Sequence, residues 1–275
     1  MPGAWTLDDI DWSRFDAQKV DPNLLRVAKA ASLVEHNGGA YTEYLCRVFK
    51  NDDDFKKAAR QWGTEEVRHG QALARWAEMA DPAFKFADAM DRFNAGFDGL
   101  PQDTDVSVRG SQAGELVARC IVESGTSSYY SALADAAEEP VLKDICRRIA
   151  GDEFRHYKLF YDALGKYVEK EQLGRMGRFK VAWGRLGETE DDELSYAYYA
   201  ANAAPDEEYS IDDHGAKHLW IAYGCYQPRH VQRAASMILK AAGLSFSDRI
   251  RSAIGYAGWR FMQYRRSKTG LPVTA

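Results

Sequence analysis

Two short strings in this chain share one pattern. Glu65-Glu66-Val67-Arg68-His69 and Asp152-Glu153-Phe154-Arg155-His156 both read acid-Glu-x-Arg-His. Residues three apart on a helix share a face, so Glu66 stands beside His69 and Glu153 beside His156. Phe55, Ala59, Trp62, Leu73 and Trp76 continue the first pair's stripe, and Leu142, Ile145, Ile149, Phe160 and Tyr167 continue the second. Both pairs therefore point into a core. One further carboxylate falls on each of two other apolar lines: Glu35 after Leu24, Ala28 and Ala31, and Glu123 between Leu116, Cys120, Ser127 and Tyr130. Glu35 precedes Glu66 by 31 residues and Glu123 precedes Glu153 by 30, while both motif residues recur after 87. A helix pair has been repeated with its chemical groups. Burying these carboxylates and imidazoles without partners costs several kcal/mol per ion, on the order of the whole stability of a domain. Two divalent cations would neutralise four carboxylates, and oxygen-rich ligation with one imidazole per metal suits iron or manganese better than zinc. The competing reading makes these residues exposed partners of Arg on amphipathic helices; the apolar stripes running through them argue against it.

The elements that must position these groups are helical. Apolar residues recur with a helical period, no alternating strand pattern persists, and only 8 prolines interrupt 275 residues. The pattern predicts helices over about Pro22–Phe49, Asp54–Ala80, Ser111–Ala137 and Val141–Lys170, with Asp52 to Asp54 as N-cap residues and Pro140 in a first turn. The stretch from about 81 to 110 is rich in Gly, Pro, Asp and Phe, without a sustained period. It is long for a connection and reads as the crossover of a four-helix bundle. Residues 1–170 are thus expected to form the bundle and 171–275 a C-terminal helical extension packed on it. In the extension a basic run (Arg175, Arg178, Lys180, Arg185) precedes an acidic one (Glu188, Glu190, Asp191, Asp192, Glu193). Helices are expected near His214–Tyr226, Arg229–Ala242 and Phe246–Arg266, the first two separated by Pro228. The fold class is all-α.

On the ligand motifs, residues 20 to 170 resemble the ferritin-like di-iron carboxylate superfamily, and within it the soluble acyl-carrier-protein desaturase and di-iron oxygenase group. Glu65 to Gly70 and Asp152 to His156 are similar to that group's two ligand motifs, and Glu123-x-x-Thr126 to its third-helix Glu followed by a threonine near the oxygen site. The resemblance implies a ferritin-like four-helix bundle and two iron ions per chain. Glu35, Glu66 and His69 would hold mainly one and Glu123, Glu153 and His156 the other, with Glu66 and Glu153 able to bridge. Manganese or a mixed pair remains open. It further implies an oxygen-dependent oxidoreductase that desaturates, hydroxylates or N-oxygenates an organic substrate, free or carrier-bound, such as an acyl chain. Two electrons would come from an external reductase such as a ferredoxin. The alternative is iron oxidation or peroxide detoxification in the manner of bacterioferritin or rubrerythrin. The chain is short for a plant-type desaturase, and its last hundred residues align with nothing in that group.

Other residues carry weaker signals. Glu65 and Asp152 directly precede the ligand Glu residues and are placed to orient His69 and His156 from behind, since metal-bound imidazoles donate their other nitrogen to a carboxylate. The plain alternative is pairing with Arg68 and Arg155. Thr126, the one catalytic candidate, either donates a hydrogen bond toward dioxygen or bonds back to a helix carbonyl. Trp62, Trp76, Tyr41, Tyr44, Tyr129 and Tyr130 lie near the ligand faces, as core or as a route for electrons or substrate. His214 and His218, four apart beside Asp213, form a weak candidate for a further metal. His36 should face away from Glu35, and Gly38-Gly39 weakens the first helix or lets a neighbour approach. The basic run from Arg175 to Arg185 is either solvated charge or a dock for an acidic carrier or reductase.

Composition bounds the rest. With 36 Lys and Arg against 41 Asp and Glu, the net charge of −5 offers no electrostatic reason for nucleic-acid binding. No apolar run is long enough to span a membrane, and Met1 to Trp12 lacks the charge and apolar pattern of a secretory signal. Cys46, Cys120, Cys146 and Cys225 are scattered without C-x-x-C spacing, as buried thiols of a reducing compartment would be; a cytoplasmic enzyme is expected, with a homodimer left open.

Overall fold

A computed structural model describes residues 5–97, 99, 103–188, 192–204 and 206–271. Four helices carry the ligand motifs and their lone Glu partners: α1 (Pro22–His36), α3 (Asp53–Ala80), α5 (Gln112–Ala136) and α6 (Pro140–Glu171), with α2 (Gly38–Val48) following α1 directly. No strand occurs among the described residues. The architecture is an all-α ferritin-like bundle.

Caps fix where these helices start. The Asp21 carboxylate accepts from the Asn23 and Leu24 amides, Asp52 from Phe55, Ser111 from Gly114 and Glu139 from Leu142. Pro22 and Pro140 sit in first turns, where no amide hydrogen is needed.

Two expectations are corrected. The first helix is not continuous to Phe49: it breaks at Asn37, and α2 begins at Gly38. A Cβ on Gly38 would lie 2.5 Å from Glu66 Cβ, so the break brings bare backbone against the ligand face of α3. The crossover is also not irregular throughout. It contains α4 (Phe86–Gly96), whose Phe93 is buried in the core.

α1 and α3 approach closely because Gly70 lacks a side chain. A Cβ there would meet the His36 amide nitrogen at 2.7 Å and the Ser32 carbonyl oxygen at 2.8 Å. α5 and α6 pack along most of their length, and Ser127 Oγ donates to the Ala150 carbonyl at 3.0 Å. Two apolar clusters fill the bundle. One holds Leu33, Leu73, Trp76, Tyr130, Ile145 and Ile149; the other holds Tyr44, Phe55, Trp62, Leu116, Cys120 and Phe160. In sequence Glu66 and His69 fall between Trp62 and Leu73, and Glu153 and His156 between Ile149 and Phe160. A buried polar layer therefore separates the clusters.

The C-terminal part is more helical than its charge runs indicate. It comprises α7 (Arg175–Gly187), α8 (Asp192–Asn202), a π turn at Ile211–Gly215, α9 (Ala216–Cys225), α10 (Pro228–Ala241) and α11 (Asp248–Lys268). Pro228 opens α10, and Glu190 and Asp191 of the acidic run lie outside the described residues. Ala197 and Tyr198 of α8 and Ile221 of α9 join the first apolar cluster, and Met237 and Ala241 of α10 join the second. No described helix is long and apolar enough to cross a membrane.

Candidate metal centre

The six inward side chains named from the sequence meet in the polar layer. Glu35, Glu66, His69 and Glu153 bring one ligand atom each within 4.8 Å of one another, and so do Glu66, Glu123, Glu153 and His156. Glu66 and Glu153 belong to both groups, the placement a bridging carboxylate requires. All six are buried, with His69 at 0% and Glu123 and Glu153 at 1% exposure.

Each imidazole turns Nδ1 toward the carboxylates. His69 Nδ1 is 3.3 Å from Glu35 and 3.2 Å from Glu153; His156 Nδ1 is 3.0 Å from Glu66 and 3.6 Å from both Glu123 and Glu153. The far nitrogens face the two acids that precede the motif glutamates, and they do so crosswise. His69 Nε2, on α3, lies 3.0 Å from Asp152 of α6, while His156 Nε2, on α6, lies 2.9 Å from Glu65 of α3. Arg68 and Arg155 bind the same acids: Arg68 reaches Asp152 at 2.9 Å, and Arg155 reaches Asp152 at 2.6 Å and Glu65 at 3.6 Å. The two sequence readings for Glu65 and Asp152, histidine partner or arginine partner, hold together. With Nε2–H directed at a carboxylate, the Nδ1 lone pair is left for the interior.

Ionisation follows from this crowding. Burial, helped by the charge of Glu153, pushes the Glu66 carboxyl well above the usual carboxylate range and the Glu123 carboxyl up to about 8. Burial acts on Glu153 in the same sense, but hydrogen bonds from both imidazoles outweigh it and hold that carboxyl low. Burial also disfavours charge on His69 and His156, yet the surrounding carboxylates raise both well above the ordinary imidazole value. Asp152, desolvated but bonded to His69 and Arg155, falls to about 2. In this chain protons balance charge that cations are able to balance instead.

The donor set fits a metal pair on a further count. Glu66 Oε1, Glu123 Oε2, Glu153 Oε1 and His156 Nδ1 are buried with no well-directed hydrogen bond, only close approaches among themselves and to His69. Native interiors rarely leave such atoms unsatisfied.

Thr126 Oγ1 is 2.5 Å from Glu153 Oε2 and also lies near the Val122 and Glu123 carbonyls, so it bonds back to the helix as one reading expected and also faces one of the six inward carboxylates. Tyr130 donates to Glu35 Oε1 at 2.5 Å, and the Tyr129 ring lies 5.2 Å from that of Tyr130, its hydroxyl buried without a partner. The Trp62 and His156 rings meet nearly perpendicular, 6.5 Å between centroids. Trp76, Tyr44 and Tyr41 are spoken for elsewhere: they donate to Glu139, Glu115 and Glu193. His36 turns to Phe86 of α4, as expected of a residue facing away from Glu35.

Trp5 was missed by sequence reasoning. Its indole donates to Asp152 Oδ2 at 2.9 Å and stacks over His69 at 5.9 Å, with the Arg68 guanidinium against its face. It lies 147 residues from its acceptor, and no local pattern signals it. The proposed His214–His218 pair does not form. His214 Nε2 meets Glu207 at 3.0 Å and Nδ1 meets the Ser210 carbonyl at 2.9 Å, while His218 sits on Tyr198, burial pulling its pKa down to about 4.

Residues 116–210, spanning α5 to α8, match the family model described as Rubrerythrin. That family belongs to the ferritin-like di-iron superfamily, so the matched segment and the metal-compatible carboxylate clusters agree in class. The match runs past residue 170, across the boundary expected between bundle and extension. No curated protein matches the chain.

Proposed function

We propose that the chain is a non-haem di-iron oxidoreductase that uses dioxygen to desaturate, hydroxylate or N-oxygenate an organic substrate. Glu35, Glu66 and His69 would hold mainly one iron and Glu123, Glu153 and His156 the other, with Glu66 and Glu153 shared. When bound, the iron pair supplies reduction of dioxygen, fed by two electrons from an external donor such as a ferredoxin. The chain's own residues do the rest. Asp152 and Glu65 fix the tautomers of His69 and His156, the Tyr130 hydroxyl donates a hydrogen bond that orients Glu35, and Thr126 holds its hydroxyl proton beside Glu153. Apolar clusters above and below exclude water.

The observation that carries this reading is a partly exposed strip of α5 beside the carboxylate centre, with Thr126 on it. Val122, Thr126 and Tyr129 are only half-buried and Gly125 is exposed, midway along a helix buried on its other faces. A Cβ at Gly125 would meet nothing within 4 Å. An organic substrate approaching along this strip would meet Thr126, whose hydroxyl bonds the buried Glu153. The test loads the protein with ferrous iron anaerobically and exposes it to oxygen. About two irons per chain and a transient optical absorption are expected, and Glu123→Ala should abolish the transient while the chain stays helical. Less than one metal per chain would overturn the reading.

The family-model match to Rubrerythrin favours a second reading, peroxide reduction or iron oxidation. Faster turnover of peroxide than of dioxygen by the reduced protein, or assembly into a large shell, would select it. The chain carries no C-x-x-C pair of the kind a rubredoxin-like centre needs.

A further inference from the structure

α11 has two well-defined faces. Its inward face is fixed by close packing on α10 and by hydrogen bonds to the α9 region. A Cβ on Gly255 would strike Gln232 Cα at 2.4 Å, Trp259 Nε1 donates to the Tyr226 carbonyl at 3.0 Å, and Arg266 Nε donates to that of Trp220 at 3.0 Å. The rotation of the helix is therefore determined. On the opposite side Ile250, Ile254, Ala257, Phe261 and Tyr264 recur at spacings of 4, 3, 4 and 3, and all are exposed, Phe261 by 59%. By the helical period, Arg249 and Arg260 border this stripe on one side and Arg251 and Arg265 on the other.

The charge is one-sided. From Pro228 to Lys268 the chain has nine Lys and Arg and a single acid, Asp248, although its net charge is −5; of these cations Arg229 pairs with Asp135, Arg251 with Asp248, and Arg266 turns inward. A second copy of α11 would complete an apolar seam at this spacing, but it would set cations against cations along both edges. What fits is a surface that is apolar below and anionic above, which accepts the stripe while the exposed Arg249 and Arg260 along its edge reach the charge. α7 is a weaker candidate. It exposes Met176 and Trp183, but two of its basic residues are turned inward, Arg178 against Gly243 and Arg185 toward Glu188.

We infer that α11 is a membrane-docking helix that lies in the interface of an anionic bilayer with Ile250, Ile254, Phe261 and Tyr264 among the acyl chains. The test is co-sedimentation of the full chain with vesicles of phosphatidylcholine containing about 30% phosphatidylglycerol, compared with phosphatidylcholine alone at about 0.1 M salt. The protein should sediment with the anionic vesicles only. Phe261→Asp should weaken partitioning about tenfold, and Arg260→Gln several-fold. Because both side chains are exposed, helical content and metal content should stay unchanged. Equal partitioning to both vesicle types, or an unchanged Phe261→Asp protein, would overturn the inference. So would a homodimer in solution that Phe261→Asp splits, or preferential F261-dependent capture by an acidic polypeptide such as polyglutamate.

Discussion

Asp152 shows how much a single carboxylate does in this centre. It accepts from Trp5, Arg68 and Arg155 and holds His69. Asp152→Asn should therefore lower metal affinity about 10- to 100-fold, read by competitive cobalt titration, and Glu65→Gln should do the same through His156. An affinity unchanged by both would remove these acids from the site. Gly70→Ala presses a methyl into the α1 backbone and should cost about 1–3 kcal/mol in chemical denaturation, with loss of metal as Glu35 moves away. Much of this was legible. The six residues proposed as ligands fall on apolar stripes at helical spacing, and the acids adjoin them. The crosswise pairing was not, because a residue one step from a ligand leaves the ligand face, and only helix packing decides which imidazole it meets. Trp5 left no trace because its partner is distant in sequence.

Among the elements, long helices with caps and first-turn prolines were readable to within a few residues. Gly38-Gly39 marked the weak point beside Asn37, but the apolar phase of α2 continues that of α1 closely enough to read as one helix. α4 was hidden by its brevity amid Gly and Asp, although Phe86, Met90 and Phe93 keep a helical spacing. One cap offers a clean pH test. Asp52 starts α3, and hydrogen bonds from Lys166, Tyr167 and the Phe55 amide overcome its desolvation and bring its pKa from 3.8 to about 2. A pKa lowered by folding stabilises the fold fully above the unfolded value and ceases to do so as pH falls through the folded one. Asp52→Ala should thus cost about 1–2 kcal/mol near neutrality. The gap between variant and wild type should close between about pH 4 and pH 2. A gap constant across that range would show that Asp52 acts by packing alone.

For the whole molecule, cations and fold should be linked. A metal held at a thousandfold excess over its Kd adds about 4 kcal/mol to the folded state. Stripping the protein with a chelator should therefore lower Tm by several degrees, and ferrous iron or cobalt should restore it; an unchanged Tm would detach the polar layer from metal altogether. Acidification should release the metal as well, since Glu66 and Glu123 take up protons readily.

The crosswise bonds carry one more consequence. Asp152 steadies an imidazole on α3 while belonging to α6, and Glu65 does the reverse. Metal in either half would clamp both helices and so prepare the other half. Chains given half their complement of iron should then segregate into empty and doubly filled molecules, with singly filled ones scarce. Native mass spectrometry counts the three species directly.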